Sequence, residues 1–407
     1  MEEKIYDYWV ATLQNGYIGN LIDLAEAVGG AKSLYMLFRK HVRGTDISKI
    51  LDEIVMTNED RVTSTNIVGE TVASSDREYR GNKVMFTKSL RTHISNRWKN
   101  EDIIKNEYDK MIQSGIVYVN HSDSDFPARL LNISGTPYGL FVKGALPKPD
   151  KKSIAIVGAR ECSEYGRACA EYFGDRLARE GVQVISGMAW GIDGIAQMAA
   201  VLAGGNSFGV LGCGADVIYP RKNSRLYERL CDGGNGIISE YAPGTNAEAR
   251  LFPPRNRIIS GLCDALLVIE ARAQSGTLIT VSMAIEQGKT VLALPGRITD
   301  ELSRGCLMLI EDGAVPAISV ERVLGELSMG SGQLKCSAKD NRKTEELQDV
   351  TQRRVYDCLS LDPMSVDDIC EKTSLGISEI LVALTFLESK GYSKEVGPGD
   401  FVRGTTF

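Results

Sequence analysis

Four glycine-bearing segments and a set of arginines carry the chemistry open to this chain. The segments are Val157-Gly158-Ala159-Arg160, Ser186-Gly187-Met188-Ala189-Trp190-Gly191-Ile192-Asp193, Leu211-Gly212-Cys213-Gly214 and Gln274-Ser275-Gly276-Thr277. Without a Cβ, glycine lets the backbone approach a bound group closely. A helix N-terminus then aims free N–H groups and a partial positive charge at an anion. The cations lie in similar places: Arg160, then Tyr219-Pro220-Arg221-Lys222-Asn223, then Pro253-Pro254-Arg255-Asn256-Arg257. Guanidinium forks match phosphate oxygens in pairs. The chemistry expected is therefore phosphate binding, through Gly158, Ala159, Arg160, Gly187, Gly212, Gly214, Arg221, Lys222, Asn223, Arg255, Asn256, Arg257, Ser275, Gly276 and Thr277. The four arginines among them are expected on loops with their side chains facing the ligand.

Other site chemistries are poorly supplied. The first loop is G-x-R rather than G-x-G-x-x-G, no acid closes the second strand, and there is no Walker A loop. The three histidines, His41, His93 and His121, all precede residue 150, so the central segment has no imidazole base. Nine cysteines are scattered without a C-x-x-C, which suits neither zinc nor a disulfide framework. No cofactor, metal or catalytic residue is expected. Net charge is −6, and residues 151–320 hold seventeen basic side chains against eighteen acidic ones. Cations here act through position rather than number. No apolar run reaches membrane-spanning length and no signal pattern opens the chain, so a cytoplasmic location is expected.

The elements that must position these loops are legible. Apolar runs at Ser153–Val157, Val182–Ile185, Phe208–Leu211, Gly236–Ser239, Ala265–Ile269 and Thr290–Leu294 alternate with helix-length stretches at Tyr165–Glu180, Ile192–Ala203 and Thr277–Gln287. Continuous apolar strands imply burial on both faces, the mark of a parallel sheet covered by helices. In such sheets ligands bind beyond the carboxyl ends of the strands, where all four glycine segments fall. The spacing predicts a doubly wound, mostly parallel α/β domain over residues 151–320.

Residues 1–105 read as a helical domain from Tyr6 to Phe38, then a polar stretch to about 75 and a basic run holding Arg77, Arg80, Lys83, Lys88, Arg91, Arg97 and Lys99. That run is either a solvated helix face or an accessory nucleic-acid contact. Residues 327–344 read as a linker, and 345–407 as three helices and a hairpin around Gly397-Pro398-Gly399, a winged helix. From 341 to 407 there are eight basic residues against twelve acidic, and the third helix, Ser378–Lys390, carries Glu379 and Glu388. A groove-reading helix presents Arg, Lys, Asn or Gln, so protein contact or autoregulation fits this one better.

The ordered motifs resemble the DNA-processing protein A (DprA/Smf) family. The matching text is Ile154–Arg160, Glu164-Tyr165-Gly166, Ile185–Asp193, Tyr219-Pro220 with Asn223, Ser239-Glu240-Tyr241, Phe252-Pro253, Arg255–Leu262, Glu270-Ala271, Ser275–Thr280 and Leu294-Pro295-Gly296, with Asp125-Phe126-Pro127 and Leu140–Gly144 upstream. The resemblance implies a single-stranded-DNA-binding protein of natural transformation and recombination that helps load the RecA recombinase. It also implies an extended Rossmann-like domain over residues 106–326, an N-terminal SAM-like helical domain, a C-terminal winged helix and a homodimer. Departures are Ala159 where the family often has Ser, Trp190 for Arg or Lys, Gln197 for His, and Leu307 for Asn. Without the family's cation at 190 a phosphate contact is weakened, or Trp190 reads as a ring that stacks on a base or as a buried packing residue. A second reading of the central domain is a nucleotide or nucleotide-sugar hydrolase of a related Rossmann family, with Glu270 or Glu286 as acid or base.

Overall fold

A computed structural model describes residues 2–14, 21–44, 88–328 and 349–404. The polar stretch to 75, the basic residues Arg77, Arg80 and Lys83, and most of the expected linker lie outside them. In chain order the first elements are α1 (Glu2–Ala11), α2 (Leu21–Ala27), α3 (Ala31–Val42), α4 (Lys88–Arg97), α5 (Glu101–Gln113), β1 (Ile116–Asn120) and β2 (Gly139–Gly144). The central alternation is β3 (Ser153–Gly158), α6 (Glu164–Arg179), β4 (Gln183–Ser186), α7 (Ile192–Leu202), β5 (Ser207–Leu211), α8 (Ser224–Leu230), β6 (Gly236–Ser239) and α9 (Phe252–Leu262). It continues through β7 (Ala265–Ile269), α10 (Gly276–Glu286), β8 (Thr290–Ala293), α11 (Glu301–Glu311), β9 (Val315–Pro316) and α12 (Val320–Ser328).

These strands form one nine-stranded sheet in the order β1-β2-β6-β5-β4-β3-β7-β8-β9. From β6 to β9 every pairing is parallel, while β1 with β2 and β2 with β6 run antiparallel. The chain walks from β3 through β4, β5 and β6 on one side and returns to pair β7 on the other, with Gly158 opposite Ile269. β3 and β7 therefore flank a topological switch point, where the loops diverge and leave a crevice.

Both faces of the sheet are covered. Ile258 and Ile259 of α9 and Val281 and Ala284 of α10 pack on Val157 and Val268. On the other face Phe173 and Leu177 of α6, Ala196 and Ala200 of α7 and Val323 of α12 cover Ile154 and Ile156. α6 and α7 approach so closely that a Cβ on Gly174 would collide with the Ala196 carbonyl. The N-terminal helices share a core with the sheet edge: Trp9, Tyr35 and Phe38 lie in one cluster with Phe141, Leu211 and Tyr227. Residue 105 falls inside α5, and a boundary at its N-cap, Asn100, where the backbone turns extended, follows the chain better.

The C-terminal segment is the expected winged helix: α13 (Val350–Cys358), β10 (Met364–Ser365), α14 (Val366–Thr373), α15 (Ile377–Ser389), β11 (Ser393–Gly397) and β12 (Asp400–Arg403). A capping box between Ser365 and Asp368 starts α14. Two ion pairs join this unit to the carboxyl rim of the sheet, Lys394 Nζ with Glu164 at 3.2 Å and Arg297 with Asp362.

Candidate nucleic-acid interface

The loops after β3 and β7 enclose a groove of about 650 Å³ at the switch point. Gly158, Ala159 and Arg160 form one wall, and Ser275, Gly276 and Thr277, at the start of α10, form the other. The two walls are tied together: Thr277 Oγ1 donates to the Gly158 carbonyl at 3.2 Å, and the Ser275 hydroxyl caps α10 by accepting from Thr277 N at 3.2 Å. Tyr219 and Asn256 also line the groove.

The glycines divide into two kinds. A Cβ on Gly158 would strike the Ile269 carbonyl, so this glycine serves strand packing. A Cβ on Gly187 would lie 2.9 Å from both Arg255 Nη2 and Asp193 Oδ2. Gly212 and Gly214 are buried against Phe252 and Asp216 and do not line the groove. Gly276 differs: nothing lies within 4 Å of where its Cβ would be, and it is exposed. The fold does not demand a glycine there, and the bare first turn of α10 opens onto the groove.

The arginines divide as well, which corrects the expectation that all four sit on loops with free guanidinium groups. Pro253 and Pro254 follow Phe252 in the first turn of α9, where a fixed φ and a missing N–H are tolerated, so Arg255 and Arg257 are helical. Arg255 reaches the groove wall but is buried; its Nη1 donates to the carbonyls of Val210 and, at 3.1 Å, Gly187. Burial pushes its guanidinium down to about 10 against the opposing charge of Asp193. Burial likewise raises the Asp193 carboxyl, which Arg255 and hydrogen bonds from Ser186 and Gly187 pull back. Arg257 lies elsewhere. Its fork grips Glu240 at 2.6 and 2.9 Å, and its Nε donates to the Gly135 carbonyl at 2.7 Å. Burial lowers the Arg257 pKa, but the charge and hydrogen bonds of Glu240 together outweigh it and hold the group above its ordinary value. Gln14 Nε2 also donates to Glu240 at 2.8 Å, so the pair helps dock the N-terminal helices. Arg257→Lys keeps the charge and loses the fork; about 1.5–3 kcal/mol of stability should go with it, as read by chemical denaturation. An unchanged midpoint would show the fork to be dispensable.

Asn223 is buried and its amide donates to the carbonyls of Met188 at 2.9 Å and Ala189 at 3.0 Å, pinning the loop after β4. Fully buried Gln197 holds the same loop, accepting from Met188 N at 3.1 Å. Asn256 accepts from Arg255 Nε at 3.3 Å. The cations left in the open are Arg160, Arg221 and Lys222. Arg160 and Lys222 also line a second cleft of about 600 Å³, between α6, α7 and α8, that meets the groove at Arg160. Arg225 lines this cleft too and Arg272 the groove. With exposed Tyr219, these are site residues that the glycine and arginine motifs missed. The signal available was the aromatic and basic interleaving of Tyr219-Pro220-Arg221-Lys222-Asn223-Ser224-Arg225.

Trp190 is 44 % exposed, which overturns a buried packing role. Glu270 does not face the groove: it is buried, and its carboxylate accepts from Ser163 N at 2.9 Å and from the Ser163 hydroxyl, capping α6. Glu286 stands exposed at the far end of α10. Among the described residues no cluster of three or more His, Cys, Asp or Glu side chains could hold a metal ion, and no helix is long and apolar enough to cross a membrane.

A doubly wound, mostly parallel sheet with an open groove at its switch point and an appended winged helix defines a Rossmann-like protein. The chain belongs to the DNA recombination-mediator protein A family, whose model matches residues 117–328. The DprA winged helix domain matches residues 339–392. Protein Smf of Escherichia coli is 36% identical over 304 residues, covering 72% of this chain and 81% of its own length. DNA processing protein DprA of Streptococcus pneumoniae is 43% identical over 206 residues, 50% of this chain and 72% of its own. An X-ray structure of DprA from Streptococcus pneumoniae aligns over 72% of this chain and 97% of its own, with 31% identity and a TM-score of 0.53.

Proposed function

We propose that this protein binds single-stranded DNA along the groove and the adjoining cleft, without cofactor or chemistry of its own, and as a homodimer helps load RecA on that strand. One observation carries the reading. Arg160 stands exposed at the junction of the two concavities, Arg225 in the cleft and Arg221 next to the cleft-lining Lys222, none with an ion-pair partner among the described residues, while the buried arginines are committed to the fold. Backbone N–H groups and guanidinium grip phosphates and read few base edges, so little sequence preference follows. Membership of a recombination-mediator family supports the role in recombination. The hydrolase reading loses its best acid, since Glu270 is spent on the α6 cap. The winged helix suits protein contact: α15 exposes Ile377, Leu381 and Val382 rather than a basic face.

The test is a salt titration of single- against double-stranded oligonucleotide binding. Affinity should fall as salt rises, because each neutralised phosphate releases counterions, and the single strand should bind more tightly at every salt concentration. Equal or tighter duplex binding at moderate salt would sink the proposal. Release of free base from a nucleotide would instead favour the hydrolase.

A further inference from the structure

We infer that Trp190 is a base-stacking platform that gives this site its preference for unpaired bases. The inference rests on the single-strand reading and adds to it the residue that selects for a base.

Trp190 sits in the loop between β4 and α7 and is the exposed one of the three tryptophans; Trp9 is buried and Trp98 is half-buried and stacked on Tyr35. An indole with nearly half its surface in water forfeits hydrophobic stabilisation, so the fold alone gives no reason for it here. Lys222 Nζ lies 4.9 Å from the ring centroid, which steadies the ring and sets a phosphate-binding charge beside it. The ring lines the cleft between α6, α7 and α8 and shares its mouth with Arg160.

The charges of that cleft say what enters it. Arg160, Arg167, Arg176, Lys222 and Arg225 line it, and so do Glu161, Glu171 and Asp175. The cations outnumber the carboxylates five to three, so phosphates are drawn to the cleft, and the exposed indole offers a neutral base a face beside them. The arrangement therefore suits a strand whose phosphates stay at Arg160 and Lys222 while a base turns onto Trp190. In a duplex that base is already paired and stacked, so the platform discriminates against double strands.

The test is a set of titrations of the full chain with a thymidine oligonucleotide, an abasic strand of equal length and a duplex, using wild type, Trp190→Ala and Trp190→Phe. Stacking on an aromatic ring should make the wild type bind the base-bearing strand about tenfold more tightly than the abasic one. Its tryptophan emission should be quenched as it does so. Trp190→Ala should lose that preference and keep its abasic-strand affinity. Trp190→Phe should retain most of the preference and lose the quenching. If Trp190→Ala melts like the wild type yet keeps the preference, the platform is overturned and strand binding stands. If it fails to fold, Trp190→Phe decides, since quenching that persists in that variant overturns the assignment. A wild type that binds none of the three ligands overturns the single-strand reading and the platform together.

Discussion

Replacing Arg255 by alanine should cost about 3–5 kcal/mol of folding stability, the range for breaking a buried charge pair. Arg255 is 5 % exposed, and its guanidinium holds the carbonyls of Gly187, just after β4, and Val210, in β5. Its removal strands those acceptors and leaves the wholly buried Asp193 carboxyl without its nearest positive charge. The loss should shrink on acidification. Burial already raises the Asp193 pKa above the ordinary carboxylate value, and the variant removes the Arg255 charge that opposes the rise. A carboxyl whose folded pKa is raised favours folding when protonated, and that contribution fades as pH climbs through the folded value. Denaturation midpoints of wild type and variant should therefore converge from neutral pH towards the carboxylate range. A deficit independent of pH would mean that Asp193 does not respond to Arg255.

The second large effect is on binding. Arg160→Ala and Arg221→Ala should each weaken single-stranded DNA binding about tenfold or more, since a charge-assisted hydrogen bond contributes about 1.5–3 kcal/mol. Both side chains are exposed at the rim, one at the junction of groove and cleft and the other beside Tyr219 and Lys222. Neither has a partner among the described residues whose loss would unsettle the fold, so thermal melts should stay within about 0.5 kcal/mol of wild type. Measured apart, the substitutions should combine additively if they touch separate phosphates. Unchanged affinity in both would move the strand off this rim. Lost affinity with a collapsed melt would make these arginines structural.

The effects of Arg255 and Arg160 differ although the two residues look alike in the chain, which marks where the sequence stops being sufficient. The parallel sheet was legible because its signal is local. Ala265–Ile269 is apolar at every position, as a strand covered on both faces must be, and it is buried at every position. The helices followed their periodicity to within a residue or so, and the loops between them fell at the carboxyl rim by the geometry of a strand–helix–strand unit. The winged helix was equally plain from its three short helices and glycine-rich turn.

Which arginine is free was decided by tertiary structure alone. Arg255 and Arg257 are two residues apart on a helix with Pro253-Pro254 in its first turn, and side chains so spaced do not share a face. One turns into the sheet towards Gly187 and Val210, the other outward to Glu240 and Gly135, partners 17 to 122 residues away in the chain. The same holds for Trp190, whose exposure depends on how α6, α7 and α8 splay around it. Hydrophobic pattern reports what a segment buries as it forms. It carries no record of the distant carbonyls and carboxylates that capture a cation once the segments have packed.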